Sequence, residues 1–392
     1  MDITLFFNAQ LPGREGLYCV EMRQGCPHMI MPMREVSMAV RPVQATDFNG
    51  DWLSLGGVDL QINGALGLAF PDLTPDHVQS LDKISQYLWA QGIDAYLPTL
   101  VTTDMTKLHQ SLATLGNFID HSSTQGRARI LGVHLEGPCL NPEKCGAHPA
   151  EHLQPLTLES LQKLAGEHIN LIRVITLAPE LDPTGEVIPW LREHGILVSL
   201  GHSTATSIQA KTAFAQGANM VTHAFNAMPS LHHREVGLLG AALLDPQVHC
   251  GLIADGQHVL PQMLDLLLRS RRGGLDNPRH HCQNLFLVSD ALAPLGLPDG
   301  TYPWDTREIT IEQGTARLPD GTLAGTTQPL LDGVKNLVEW GVADLGEAIA
   351  MATDVPRQLM GLPGLQLRQP MSLLRWHWDE AAHKLSWERL DC

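Results

Sequence analysis

Three side chains that could bind a metal ion follow short apolar runs of the sequence. Glu136 lies in His-Leu-Glu-Gly-Pro, His202 in Ser-Leu-Gly-His-Ser and His223 in Thr-His-Ala-Phe-Asn. One carboxylate and two imidazoles form a ligand set of catalytic zinc sites, with a position left open for water. Each residue alone has an ordinary structural interpretation. Their coincidence at the ends of predicted strands three, five and six favours a metal site.

A fourth residue, Asp290, could carry a proton during hydrolysis. It ends the last strand-like run, in Leu-Val-Ser-Asp-Ala. A carboxylate beside an activated water can accept its proton and later donate that proton to a leaving amine. Aspartate is also a favoured N-cap of helices, so capping is an equal alternative. Once a metal site is granted, the catalytic interpretation is favoured.

Eight apolar runs of buried-strand type alternate with helical patterns and would position these residues. This alternation predicts an α/β fold, a closed (β/α)₈ TIM-like barrel, in which the carboxyl ends of the strands converge on one site. A doubly wound open sheet is the alternative, but polar residues follow most of the runs, which favours the barrel. The runs are Leu55–Ile62, Ala95–Leu100, Ile130–Leu135, Leu171–Leu177, Ile196–Leu200, Met220–Thr222, Val248–Ile253 and Leu285–Val288. The polar residues are Gln61, Asn63, Glu136, His202, His223, Asp255 and Asp290.

Helical patterns fill most gaps between the runs. One helix is predicted to begin at Thr74-Pro75, where a capping hydroxyl precedes a proline at the first helical position. The other predicted helices are Thr103–Ile119, Glu186–His194, Thr204–Gln216, Pro261–Arg271, Leu330–Trp340 and Leu345–Met360.

The two ends of the chain differ from the middle. Residues 1–53 and 362–392 contain short strand-like pieces, and we expect them to form one small flanking β-sandwich domain. The barrel domain is then predicted over residues 54–361. A hairpin insertion is predicted at about 302–323, because Pro319-Asp320-Gly321 is a turn sequence.

Composition excludes several classes of partner. The 392 residues are 44% hydrophobic and carry a net charge of −16, which argues against nucleic acid and anionic membranes as main partners. The longest apolar run, Val236 to Leu244, is about half of the roughly 20 residues that span a bilayer. The seven cysteines lack paired spacing, which predicts reduced thiols. A cytoplasmic protein is expected, and a phosphorylated substrate would need a local cationic pocket.

Three further residues have weaker support. The planar guanidinium of Arg234 suits phosphate, although an ordinary surface arginine is the simpler interpretation. His148 and His258 lie in predicted loops and could equally be exposed and idle.

Ordered motifs from about Gly56 to Met360 resemble the N-acetylglucosamine-6-phosphate deacetylases of the amidohydrolase superfamily. The motifs are Val58-Asp59-Leu60-Gln61-Ile62-Asn63-Gly64, Leu135-Glu136-Gly137-Pro138, Gly201-His202-Ser203, His223-Ala224-Phe225-Asn226-Ala227-Met228-Pro229, Ile253-Ala254-Asp255-Gly256-Gln257-His258, Ser289-Asp290-Ala291 and Gly321-Thr322-Leu323-Ala324-Gly325. Their order and length make the resemblance specific.

The resemblance implies a role for each site residue. Glu136, His202 and His223 match the metal ligands, and Asp290 matches the general acid/base. The implied substrate contacts are Asn226, the backbone at Ala227, His148, His258 and Arg234. The family's arginine reaches in from the neighbouring subunit, so Arg234 implies a homodimer.

Strand one sets the expected metal count. Many amidohydrolases have His-x-His there and bind a second metal, whereas this chain has Gln61-Ile62-Asn63. Amides are poor metal ligands compared with imidazole. The sequence thus resembles the single-metal branch, with Gln61 holding the attacking water. One divalent cation per subunit is expected: Zn²⁺ first, while Fe²⁺, Co²⁺ and Mn²⁺ also suit these ligands.

The expected activity is removal of the acetyl group from N-acetyl-D-glucosamine 6-phosphate, a small-molecule amino sugar phosphate. The alternatives are a deacetylase of another N-acetylated hexosamine phosphate, such as the galactosamine epimer, or an inactive sugar-phosphate-binding homologue. A ring-opening hydrolase of the dihydroorotase type is disfavoured, because no His-x-His precedes Glu136.

Overall fold

A computed structural model describes residues 3–36, 44–121, 125–272 and 284–390. In this part of the chain, eight parallel strands form a nearly closed barrel, which confirms the predicted fold class. The strands are β1 Gly57–Ile62, β2 Ile93–Val101, β3 Val133–Glu136, β4 Ile172–Leu177, β5 Leu197–Leu200, β6 Met220–Val221, β7 His249–Leu252 and β8 Leu285–Leu287. Most of their residues are buried, because helices cover the outside and side chains fill the inside.

Each barrel strand pairs with the next in the chain, from β1 through to β8. The eighth strand and the first strand meet at a seam of the barrel. Hydrogen bonds from the residues that follow β8 close this seam, without a regular strand pairing. The Asp290 N–H donates to the Gln61 carbonyl at 2.9 Å, and the Asn63 N–H donates to the Ala291 carbonyl at 2.7 Å. The Asp59 carboxylate accepts the Ser289 N–H at 3.2 Å. The seam therefore joins the ends of the strands that carry Gln61 and Asp290.

Helices follow most barrel strands. They are α1 Val78–Ala90, α2 Met105–His121, α3 Leu158–Ala165, α4 Val187–Glu193, α5 Ser207–Ala215, α6 Gly237–Leu243, α7 Pro261–Arg271, α8 Leu330–Glu339, α9 Leu345–Ala352 and α10 Asp354–Leu359. The predicted helix Leu345–Met360 is two helices, because Thr353 leaves the helical region at φ −120° and ψ −70°. A 3₁₀ turn at Pro75–His77 precedes α1. This turn begins with a capping box at Thr74.

Two sheets, one mixed and one antiparallel, are built from the chain ends. The first has strands Ile3–Ala9, Tyr18–Arg23 and Cys26–Pro32, with Gln44–Asp47 paired in parallel to the first of them. The second has strands Trp52–Leu55, Leu373–Asp379 and Lys384–Leu390. Both sheets contribute side chains to one apolar cluster, which includes Phe6, Val20, Leu53 and Leu373. The division of the chain at about residues 53 and 362 remains our prediction.

A third sheet, which is antiparallel, lies beside the mouth of the barrel. Its strands are Gly300–Trp304, Arg307–Glu312, Thr315–Arg317 and Leu323–Thr326, where the sequence predicts a hairpin. Its apolar face packs with Ala147 and Leu292, and Arg307 donates to the Ala147 carbonyl at 2.8 Å. The sheet thus supports the loop that carries His148.

Two other expectations concern thiols and membranes. Cys19, Cys26, Cys139, Cys145 and Cys250, the cysteines within the described ranges, are all free. Over the same ranges, no helix combines the length and apolar character needed to cross a bilayer.

Candidate active site

A cavity of about 700 Å³ opens at the carboxyl ends of the barrel strands. Glu136 is the last residue of β3, and His202, His223 and Asp290 follow β5, β6 and β8 within three residues. His202, His223 and Asp290 have φ values of 47°, 25° and 47°, in the left-handed region that side chains other than glycine seldom occupy. Such conformations cost roughly 1–3 kcal/mol each, so the surrounding barrel must hold them in place.

Glu136, His202 and His223 converge on one point in the cavity. The Glu136 Oε1 atom lies 3.2 Å from His202 Nε2 and 3.1 Å from His223 Nε2, and the two nitrogens are 3.0 Å apart. Ligand atoms about 2.0–2.2 Å from a tetrahedral zinc ion lie about 3.3 Å from one another. A carboxylate oxygen and two imidazole nitrogens at this spacing fit a divalent metal ion.

The proton on His202 is placed to leave a metal-binding lone pair. Its Nδ1 atom lies 2.8 Å from the Lys144 carbonyl oxygen. A carbonyl only accepts hydrogen bonds, so Nδ1 carries the proton and Nε2 is bare. Metal-binding histidines usually have such a partner on the other ring nitrogen. The buried Nδ1 of His223 has no partner in the described ranges.

Burial and proximity shift the pKa values of this cluster. Burial alone would raise the pKa of Glu136, but its close contacts with the ring nitrogens of His202 and His223 hold it well below its usual range. Burial alone would lower the pKa of His223, but its hydrogen bond and charge interaction with Glu136 raise it overall. The carboxylate is therefore ionised, as a metal ligand must be.

Asp290 faces the cluster from the seam of the barrel. Its Oδ1 atom accepts hydrogen bonds from Asn63 Nδ2 at 2.8 Å and Gln61 Nε2 at 3.2 Å. Gln61 Nε2 also donates to Glu136 Oε1 at 3.1 Å and so links the two carboxylates. Burial, followed by the charge of Glu136, raises the pKa of Asp290 to about 6. A carboxyl group with this pKa can both accept and donate a proton near neutral pH.

His148 also lies beside Glu136. Its Nε2 atom is 4.0 Å from Glu136 Oε1, and Glu136, His148 and His202 also have metal-ligand spacing, with atoms within 4.8 Å of one another. Burial lowers the pKa of His148 to about 3, so the ring is neutral. Two overlapping triads therefore share Glu136 and His202.

The residues predicted to hold the sugar phosphate lie at two different places. Asn226, Ala227 and His258 line the cavity. His258 Nδ1 is 2.7 Å from Asp255 Oδ2, which fixes the ring. Arg234 is exposed and does not line this cavity. One chain thus brings together every predicted site residue except Arg234.

Sequence reasoning missed two positions in the site. Asn63 has no predicted catalytic or binding role from the sequence, yet it makes the shorter of the two amide hydrogen bonds to Asp290. Thr102, directly after β2, contacts His148. The spacing Gln61-x-Asn63 was a signal for Asn63, because it places a second amide at the end of the same strand. Thr102 had no comparable signal.

Fold and cluster together define a (β/α)₈ barrel with a divalent-metal site at the carboxyl ends of its strands. No family model matches the chain. A relative from Vibrio furnissii, named N-acetylglucosamine-6-phosphate deacetylase, is 35% identical over 80% of this chain and 77% of its own length. A relative from Escherichia coli O157:H7, named N-acetylgalactosamine-6-phosphate deacetylase, is 33% identical over 83% of this chain and 82% of its own.

A solved structure agrees with these relatives. The crystal structure of N-acetylglucosamine-6-phosphate deacetylase from Pasteurella multocida matches with a TM-score of 0.79 and 28% identity, over 96% of this chain and 95% of that one. The chain belongs to the N-acetylglucosamine-6-phosphate deacetylase family of the amidohydrolase superfamily, which confirms the resemblance.

Proposed function

We propose that this protein hydrolyses the acetamide of N-acetyl-D-glucosamine 6-phosphate to acetate and glucosamine 6-phosphate, in amino sugar metabolism. The observation that carries the proposal is the convergence of Glu136, His202 and His223 within 3.2 Å, beside Asp290, in one cavity. The names of relatives at 33–35% identity over about 80% of the chain support the substrate class.

Glu136, His202 and His223 would hold one divalent cation. When bound, such a cation activates water near neutral pH and stabilises negative charge on the carbonyl oxygen. The set of one oxygen and two nitrogens suits Zn²⁺ first, and Fe²⁺, Co²⁺ or Mn²⁺ also fit. Gln61 and Asn63 replace the two histidines that a second metal would need, so we propose one ion per subunit.

Asp290 would move the proton. A water molecule attacks the acetyl carbonyl carbon, and Asp290 accepts the proton that the water loses. Asp290 then gives this proton to the amide nitrogen as the carbon–nitrogen bond breaks. The amine leaves as glucosamine 6-phosphate, and the acetyl carbon leaves as acetate. Gln61 donates to Asp290 Oδ1 and would keep the attacking water beside that carboxylate.

Asn226, the backbone at Ala227, His148 and His258 would bind the substrate within one subunit. Arg234 is exposed, as a residue that serves another subunit would be. We therefore propose a homodimer in which Arg234 binds the phosphate in the partner's cavity, because a guanidinium makes paired hydrogen bonds to phosphate. A cytoplasmic location fits the free thiols of the described cysteines.

Acetate release from purified protein tests the activity, with metal content measured on the same sample. We expect hydrolysis of the glucosamine substrate with about one metal ion per chain. The galactosamine epimer is a specific second candidate, because the Escherichia coli relative carries that name. A higher kcat/KM for the galactosamine epimer would overturn the substrate assignment. Metal-loaded protein that releases no acetate from either epimer would overturn the deacetylase proposal.

Hybrid dimers test the shared site. Arg234→Ala removes the phosphate contact and Asp290→Asn removes the proton carrier, so each homodimer should be nearly inactive. Mixed dimers restore one complete cavity and should recover about a quarter to a half of normal activity. Hybrids shown by mass spectrometry to form, but without recovered activity, would place Arg234 outside the site.

A further inference from the structure

We propose that Thr102 is a positioning residue that fixes the proton of His148 on Nε2. His148 then donates a hydrogen bond to the acetamide carbonyl oxygen and takes no part in binding the metal. This inference rests on the proposed deacetylase function for the identity of the acceptor. The tautomer itself follows from the geometry around His148 alone.

Two groups of Thr102 surround Nδ1 of His148. The Thr102 backbone N–H lies 3.3 Å from this atom, and the Thr102 hydroxyl lies 2.9 Å from it. A backbone N–H can only donate, so Nδ1 must accept and carries no proton. The hydroxyl then also donates to Nδ1. Its other neighbour, the Glu136 carbonyl oxygen, is farther away at 3.4 Å, so the single hydroxyl hydrogen favours the closer Nδ1.

Because Nδ1 of His148 accepts a backbone N–H and carries no proton, the one N–H of the ring must lie on Nε2. This nitrogen faces the cluster, 4.0 Å from Glu136 Oε1. A protonated ring nitrogen has no lone pair for a metal ion, but it is a good hydrogen-bond donor. Metal-like spacing of Glu136, His148 and His202 therefore does not make His148 a ligand.

The neighbouring ring of His202 shows the opposite arrangement. The two ring centroids are 4.5 Å apart. A carbonyl oxygen, that of Lys144, contacts Nδ1 of His202, whereas an N–H and a hydroxyl contact Nδ1 of His148. The first partner requires a proton on Nδ1, and the second pair excludes it. The hydrogen-bond partners of Nδ1 thus make His202 a metal ligand and His148 a hydrogen-bond donor, although the two rings are in contact.

The fold makes room for the Thr102 hydroxyl. Thr102 directly follows β2 and is buried, and Gly137 directly follows β3. A Cβ atom at Gly137 would lie 2.4 Å from the Thr102 hydroxyl oxygen, and Gly137 has a φ of +82°. Only glycine fits both the conformation and the contact there. Gly137 thus allows Thr102 to reach His148.

Neutron diffraction of the deuterated, metal-loaded protein tests the tautomer directly. We expect nuclear density for deuterium on Nε2 of His148, none on Nδ1, and deuterium on Nδ1 of His202. Deuterium on Nδ1 of His148 would overturn the proposal. This measurement needs no turnover, so it separates failure of the tautomer assignment from failure of the deacetylase assignment.

Kinetics test whether Thr102 acts through His148. Thr102→Val keeps the shape and the backbone N–H but removes the hydroxyl, and we expect kcat to fall about three- to tenfold with little change in KM or metal content. Thr102→Ser should restore kcat. Thr114→Val is the control, because among the described residues the Thr114 hydroxyl donates only to the Gln110 carbonyl of its own helix.

A double-variant cycle gives the decisive comparison. His148→Phe removes the donor and should lower kcat about 10²–10³-fold. Adding Thr102→Val to His148→Phe should then have no further effect on kcat. A full three- to tenfold further loss would show that Thr102 acts through another contact, such as the Glu136 carbonyl, and would overturn the proposal.

Discussion

The two sides of the cavity are held together differently. On the ligand side, Oε1 of Glu136 and the Nε2 atoms of His202 and His223 lie within 3.2 Å of one another. On the acid side, Asp290 accepts hydrogen bonds from two amides, those of Gln61 and Asn63. The acid side is therefore held by hydrogen bonds between side chains of the protein itself. The ligand side has the arrangement of groups that share a cation.

This difference predicts two classes of variant. Changes on the ligand side should lose the metal and the activity together, because the cation links those side chains. Changes on the acid side should lose turnover and keep the metal. Gln61 donates to both Glu136 and Asp290 and is the one described side chain that touches both sides.

Replacing the carboxylate of the ligand side should have the largest effect. Glu136→Ala leaves two imidazoles, which hold a divalent ion far more weakly than three ligands. We expect metal content to fall to near zero and kcat/KM to fall by at least about 10³-fold. Metal analysis by mass spectrometry with circular dichroism as the folding control checks this. Stoichiometric metal in a folded variant would remove Glu136 from the ligand set.

Replacing the proton carrier should separate turnover from metal content. Asp290→Asn is nearly isosteric but cannot accept or deliver the proton, so we expect kcat to fall by at least about 10²-fold. The metal content should stay at the normal value, because Asp290 is not one of the three proposed ligands and its hydrogen bonds come from Gln61 and Asn63. Near-normal turnover would exclude Asp290 from the proton transfer. Loss of metal would instead break the proposed division into two sides.

Removing one amide of the acid side should have a smaller effect. Asn63→Leu deletes the 2.8 Å hydrogen bond to Asp290 Oδ1, while Gln61 still donates at 3.2 Å. We expect kcat to fall about tenfold, the value of one hydrogen bond to a charged group. Metal content should be unchanged. A drop in metal content equal to the drop in kcat would show that the two sides are not independent.

Most of the barrel could be predicted from the sequence. The barrel strands were predicted within a few residues, because runs buried on both faces remain apolar throughout, as in Val248–Ile253 around β7. Helix α6, Gly237–Leu243, was not predicted. It is buried on nearly all sides, so it lacks the alternation of apolar and polar residues that marks a surface helix.

The hydrogen bonds of the site could not be predicted from the sequence. Motifs identified the residues at the strand ends, but the choice of which amide contacts which carboxylate depends on side-chain conformation and on the irregular seam between β8 and β1. Asn63 and Gln61 have the same chemistry, yet only Gln61 contacts both Glu136 and Asp290. The role of Thr102 depends on its backbone N–H, which nearly every residue type has. The identity of the residue therefore could not predict this role.

Beneath the acid side, Asp59 should make the stability of the seam depend on pH. Burial raises the pKa of Asp59 to about 7, although the N–H groups of Ser289 and Gln61 donate to it. The unfolded chain has a pKa near 3.9. Between about pH 4 and pH 7 the folded protein therefore holds a proton that the unfolded chain has lost. Stability contributed by this group consequently falls as the pH rises through that window.

Asp59→Asn should remove this pH dependence, because an amide accepts the same two backbone hydrogen bonds and never ionises. From pH 4.5 to 7.5, the free energy of unfolding of Asp59→Asn should rise relative to the unmodified protein by at most about 3 kcal/mol. Urea unfolding at both pH values measures this, with the exposed Glu380→Gln as a charge-matched control. Equal pH dependence with and without Asp59 would mean that the carboxylate is ionised throughout. The acid side would then bury two charges, and its independence from the cation would have to be abandoned.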